Sequence, residues 1–151
     1  MKKIVTCSVI WLLSMALSSF STTPGGDVFE LYLNGHKVHQ QFIHADGGVK
    51  NLSLQQTTGI DKLEVLYSHC GQAGKGRVIT IRNEKNELIK EIKFGDGKTK
   101  NSLMAVYRKD IAKHITGSMK LFYSSKELPE GRLLATIRWN TTAATAALHV
   151  K

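Results

Sequence analysis

Cysteine, proline and tryptophan are scarce in this chain, with two of each among 151 residues. Two cysteines cannot frame a disulfide-rich miniprotein, and two prolines exclude collagen-like and polyproline architectures. Acidic residues are also short, 12 against 21 lysines and arginines, which sets the formal charge at +9. No apolar run reaches the ~20 residues that a membrane-spanning helix needs. No self-similarity appears at a period of about 20–50 residues, which excludes a solenoid or propeller. What is present is ordinary for a globular domain: 42% of the residues are hydrophobic and 22% charged. The length suits a single domain with or without a leader.

The first residues read as that leader. Met1, Lys2 and Lys3 precede an apolar run from Ile4 to Leu17, and Ser19-Phe20-Ser21 supplies a small-x-small site. This is the layout of a secretory signal peptide over residues 1–21, with cleavage near Ser21 or, as a second option, at Ala16 to Ser18. Cys7 lies inside the apolar run, whereas a lipoprotein cysteine follows it, so Cys7 belongs to the leader. Removing Lys2 and Lys3 takes the charge from +9 to +7. The mature chain of about 130 residues is large enough for one core without staples. It keeps only Cys70, so no intramolecular disulfide is available.

Strand patterns fill the rest. Val28 to Leu33 and a run to Ile43 flank Asn34-Gly35, the strongest short hairpin signal, because a type I′ turn needs positive φ at both central residues. Asp46-Gly47-Gly48 ends the hairpin, Val49 to Leu54 gives a third strand, and Thr57-Thr58-Gly59 is a loop. Lys62 to Ser68 alternates, with Leu63, Val65 and Tyr67 on one side and Glu64, Leu66 and Ser68 on the other. Arg77 to Arg82 and Leu88 to Phe94 form another hairpin, and Leu103 to Val106 a further strand. Arg108 to Ile115 suits a short helix stopped at Gly117. Met119 to Ser124 and Leu133 to Trp139 pair around a turn at Leu128-Pro129-Glu130-Gly131, and 141–151 is a flexible tail. About eight or nine short strands at such spacing predict an all-β, antiparallel, jelly-roll-like sandwich over residues 22–140.

One segment concentrates unusual residues: Tyr67-Ser68-His69-Cys70-Gly71-Gln72-Ala73-Gly74-Lys75-Gly76-Arg77. Cys70 is a candidate nucleophile if a base lowers its pKa. Neighbours on a strand point to opposite faces, which places His69 badly and leaves His114 as the base. Cys70 with His69, His36, His39 and His44 is a candidate set for Zn or Cu, although the spacing matches no finger or ribbon. Simple alternation puts His36 and His44 on the face of Val38 and Phe42, with His39 opposite, so at most two of the three converge. Lys75 and Arg77 are candidate anion-binding residues, but the glycines are not a P-loop, since Ser or Thr after the lysine is missing and a strand follows. The plain alternative is a strand end and a glycine turn with Cys70 packed in a β core.

The cations through the central hairpin, from Lys75 to Lys100, suit acidic polysaccharide or lipopolysaccharide phosphate. Glu84, Glu87, Glu91 and Asp96 interleave with them as cross-strand partners, which argues against a single-sign stripe. Export removes nucleic acid as a ligand. Tyr67 and Tyr123 fall at core-phase positions, Trp139 ends a strand, and no pair of carboxylates shares a glycosidase-like motif.

Three segments carry a resemblance: Asp27 to Asn34, Tyr67 to Gly71 with Gly74 to Arg77, and Leu128 to Arg132. In these the chain resembles small secreted all-β proteins of Gram-negative bacteria with no assigned function. The resemblance implies export and a β-rich fold and no particular activity.

The sequence thus leads to an exported, periplasmic or extracellular, non-catalytic binding or structural module of the cell envelope. It has no cofactor, no transmembrane segment in the mature chain, and an envelope protein or glycan as partner. The alternative is a metal-binding or thiol-reactive protein centred on Cys70 and the nearby histidines.

Overall fold

A computed structural model describes residues 26–43, 48–55, 60–114 and 117–140, and among these it shows ten strands and one short α-helix. The expectations for the leader, the tail, His44 and Thr57-Thr58-Gly59 lie outside the described residues. Among those described, no helix is long and apolar enough to cross a membrane.

Two five-stranded sheets face each other. The first holds β1 (Asp27–Leu33), β2 (His36–Ile43), β4 (Lys62–His69), β5 (Gln72–Ala73) and β8 (Met104–Tyr107). Its order is β2-β1-β4, with β5 and β8 both on the other edge of β4. The second holds β3 (Lys50–Gln55), β6 (Val78–Asn83), β7 (Leu88–Lys93), β9 (Ser118–Ser125) and β10 (Leu128–Asn140), in the order β3-β10-β9-β6-β7. All pairings are antiparallel except β3 with β10, which is parallel. A strand's own alternation does not encode its neighbour, and β3 leaves the sheet of the hairpin before it to join the opposite one.

The core follows from the alternation. Phe29, Leu31, Leu63, Val65, Tyr67, Met104 and Val106 of the first sheet meet Ile79, Ile81, Met119, Leu121, Tyr123, Ala135, Ile137 and Trp139 of the second. Removing each large side chain from water contributes about 1.5–3 kcal/mol. β4 is flanked on both edges, and even its outward Glu64, Leu66 and Ser68 are buried. The helix α1 (Arg108–Ile111), continued by a 3₁₀ turn at Ala112–His114, inserts Ile111 into the same cluster. Asp110 ties it to β7 through Lys90 at 3.3 Å.

Asn34 and Gly35 adopt positive φ, 49° and 81°, as the Asn-Gly turn requires. The Asn34 side chain then accepts the backbone N–H groups of Asp61 and Lys62 at 2.9 and 3.1 Å, fixing the hairpin to the start of β4.

Four bulges depart from simple alternation, one of them at Leu134, the extra residue between Leu133 and Ala135 of β10. In β2 the register passes from Leu31↔His39 to Tyr32↔Lys37, so Val38 is an extra residue. The phase switches there and places His36, opposite Leu33, in the phase of His39, opposite Leu31. This replaces the expected separation of the two histidines. Ile89 is the extra residue in β7, between Lys90 and Leu88. Leu128-Pro129-Glu130-Gly131 is no turn: the turn is at Lys126-Glu127, and residues 129–131 bulge out of β10 opposite the single residue Ser124. Gly131 has φ 72°, a conformation that favours glycine.

Candidate functional site

Strand ends gather polar side chains at one end of the sandwich. Asp27 opens β1, His69 closes β4, and Ser125 closes β9. His69 continues the inward phase of Leu63, Val65 and Tyr67, and Ser125 that of Met119, Leu121 and Tyr123. The two sheets therefore bring His69 and Ser125 together from opposite sides.

Tyr67 and Tyr123 stack across the sheets, with centroids 4.2 Å apart and 15° between planes. Tyr67 donates its hydroxyl hydrogen to Asp27 Oδ2 at 2.7 Å and accepts from Arg132 Nη1 at 3.0 Å. Arg132 also lies 3.7 Å from the same carboxylate oxygen. His69 Nδ1 is 3.6 Å from Asp27 Oδ2, and its Nε2 is 3.1 Å from both Tyr123 Oη and Ser125 Oγ. Burial, followed by the hydrogen bond to Asp27, pushes the Tyr67 hydroxyl well above its ordinary pKa. Burial does the same for Tyr123.

Serine, histidine and aspartate in this sequence of contacts have the connectivity of a nucleophile, a base and an orienting acid. Two features oppose that chemistry. The Nδ1 to Oδ2 distance of 3.6 Å exceeds a hydrogen bond, and Oδ2 already receives Tyr67. Ser125 is only 5% exposed. Gly74 lies directly over it, so close that a Cβ there would stand 3.1 Å from Ser125 Cβ and collide with Tyr123 Oη.

Gly74 is in turn held down. Gly97 donates to Gly74 O at 3.0 Å and packs against Ala73. Substituting Gly74 with alanine is expected to cost about 2 kcal/mol, the usual scale for forcing atoms into packed space. Urea unfolding followed by circular dichroism would measure it, and an unchanged midpoint would show that Gly74 does not close the cluster.

The glycine-rich segment behaves differently from an anion cradle. Its backbone N–H groups at Lys75 and Gly76 donate to the carboxylates of Glu127 (2.9 Å) and Asp96 (2.8 Å). The chain's own acids thus occupy the places an anion would take, and the Lys75 N–H holds the Glu127 carboxyl below its ordinary value. Arg77 is 6% exposed and donates to Gly95 O at 3.0 Å and Ser102 O at 2.6 Å, so its guanidinium joins two loops.

Cys70 is exposed, not packed in the core, and occupies the left-handed region with φ 49° in the turn after β4. Its Sγ lies 3.8 Å from Asp27 Oδ1, whereas His69 approaches Oδ2. His39 stacks obliquely near Phe29, with ring centroids 5.9 Å apart, away from this cluster on β2. Among the described residues no three His, Cys, Asp or Glu side chains group to hold an ion. The sequence pointed to His69 and Cys70 but missed Asp27, Tyr123, Ser125 and Arg132 as their companions. The signal that could have found them was phase: His69 and Ser125 are polar residues in the inward register of alternating strands.

No protein-family model matches the chain, and no curated protein shows significant similarity to it.

Proposed function

We propose that this chain is an exported β-sandwich module of the cell envelope that binds a partner and carries out no reaction. The observation that carries this reading is the closure of the Ser125–His69 pair beneath Gly74, which leaves the serine 5% exposed. A nucleophile must approach its substrate to about 3–3.5 Å, and the Gly74 backbone already fills that approach. Asp27, Tyr67, His69, Tyr123 and Arg132 then act as a clasp between the two sheets, and recognition falls to the outer faces. The partner is an envelope protein or glycan.

The test is covalent. A fluorophosphonate probe is expected to leave Ser125 unlabelled by mass spectrometry, and Ser125→Ala to hydrolyse p-nitrophenyl acetate at the wild-type rate. Labelling of Ser125, or turnover lost in the alanine variant, would overturn a non-catalytic reading.

Exposure of Cys70 favours one alternative, a thiol-reactive or Zn- or Cu-binding protein. Activated thiols sit beside positive charge, whereas the neighbour of Cys70 Sγ is the Asp27 carboxylate. Untagged protein is expected to hold far less than stoichiometric metal by mass spectrometry. One equivalent of Zn or Cu, lost in Cys70→Ser, would establish the alternative.

A further inference from the structure

We infer that the outer face of the second sheet carries a binding cleft for an acidic oligosaccharide, lined by Arg82 and Phe122 and flanked by Lys120, which joins its wall through Asn86. The inference rests on the binding-module reading and gives it a site and a ligand class.

The cleft encloses about 460 Å³. Thr80 of β6 and Phe122 and Ser124 of β9 form its floor, and Arg82 and Asn86 one wall. The opposite wall is the bulge Pro129-Glu130-Gly131 at the start of β10. A regular strand there would leave a flat sheet, so the extra residues of the bulge create the concavity.

Arg82 and Lys120 stand directly opposite each other on adjacent strands. Like charges in that relation oppose folding, and a carboxylate is the usual remedy. Neutral oxygens take that place instead. Arg82 Nη1 donates to the carbonyl of Asn86 at 2.8 Å, and Lys120 Nζ donates to the Asn86 side-chain oxygen at 3.2 Å. Asn86 reaches both from a left-handed conformation, φ 69°. The nearest turn acids are engaged elsewhere, Glu84 with Ser118 and Glu87 with Asn83. Glu91, opposite Thr80, lies 3.8 Å from Lys93. Among the described residues, the two cations are therefore held by neutral oxygens and form no ion pair with a carboxylate.

The remaining groups select among anions. The Arg82 guanidinium lies 5.9 Å from the centre of the Phe122 ring, and both line the cleft, so a cation stands beside an apolar surface. A sugar ring packs on such a surface. The hydroxyls of Thr80 and Ser124 and the carboxylate of Glu130 suit sugar hydroxyls, while the cations suit a uronate, sulfate or phosphate substituent.

The test is NMR titration of the isotopically labelled protein with trigalacturonate, maltotriose as the neutral control and inorganic phosphate as the free anion. Trigalacturonate is expected to shift the amides of Thr80, Phe122, Ser124 and Gly131. Arg82→Gln and Lys120→Gln are each expected to weaken it by about tenfold, as loss of a charge-assisted contact implies. Lys37→Gln, on the outer face of the first sheet, is expected to change nothing. Absence of shifts at millimolar trigalacturonate would overturn the site, as would equal binding of maltotriose or phosphate. Shifts confined to the first sheet would overturn the site and leave the binding module standing. Cleavage of trigalacturonate into smaller sugars would overturn the non-catalytic reading itself. The wild-type shifts decide the matter even if a variant fails to fold.

Discussion

Tyr123→Ala is expected to lower stability by about 3–5 kcal/mol, the range for truncating a fully buried aromatic. Domains of this kind hold only about 5–15 kcal/mol in total. Tyr123 is 0% exposed and stacks on Tyr67 of the facing sheet, so its ring forms part of the contact that holds the layers together. Its hydroxyl adds a second link, 3.1 Å from His69 Nε2. Tyr123→Phe separates the two contributions. It keeps the ring and leaves Ser125 Oγ beside His69, so a loss of about 1–2 kcal/mol is expected. Urea unfolding of both variants would check the difference. A loss below about 1 kcal/mol for the alanine variant would show that the Tyr123 ring does not hold the two layers together.

Alkali supplies the second large effect. Tyr67 and Tyr123 both have folded pKa values raised above the ordinary 10.0, chiefly by burial, and Tyr67 also by its bond to Asp27. The folded state therefore holds their protons more tightly than the unfolded chain. Their contribution is fully present below pH 10 and disappears as pH rises toward the folded values. Each such tyrosine gives a slope of about 1.4 kcal/mol per pH unit, so the pair gives roughly 2.7. Tyr32, pushed up to about 12 by its hydrogen bond to Glu30, adds little because it lies near solvent. Urea midpoints measured from about pH 9 to 12 should fall steeply above pH 10. Urea midpoints that stay level from about pH 10 to 12 would show that the two hydroxyls are not held as described.

The strands were legible because each buried face repeats every second residue. Leu63, Val65 and Tyr67, or Met119, Leu121 and Tyr123, announce an inward face without reference to anything distant. The Asn34-Gly35 turn was legible for a different reason, since few residues other than asparagine and glycine tolerate its backbone. Bulges were not legible. Val38 looks like any strand valine, yet as an extra residue in β2 it moves His36 to the face of His39. Proline and glycine at Pro129 and Gly131 read as a turn, although they build a bulge within a continuing strand. The polar clasp was half visible. His69 drew notice through its neighbour Cys70, but its contacts Asp27, Tyr123 and Ser125 come from β1 and β9. Only the pairing of sheets, a long-range property, brings those three ends together.

The parallel ladder between β3 and β10 has a consequence for how the chain comes into being. Lys50 lies beside Ala135 and Gln55 beside Asn140, so an early segment waits for the last strand. Closing so long a loop costs entropy before any contact is gained, and it slows the assembly of the second sheet. A chain only partly emerged, lacking Ala135–Asn140, leaves β3 unpaired and part of β9 with an open edge. The second sheet therefore stays incomplete until Ala135–Asn140 arrive to pair with β3. A polypeptide that locks late keeps an open sheet edge for longer, and an open edge is where strands of other copies add.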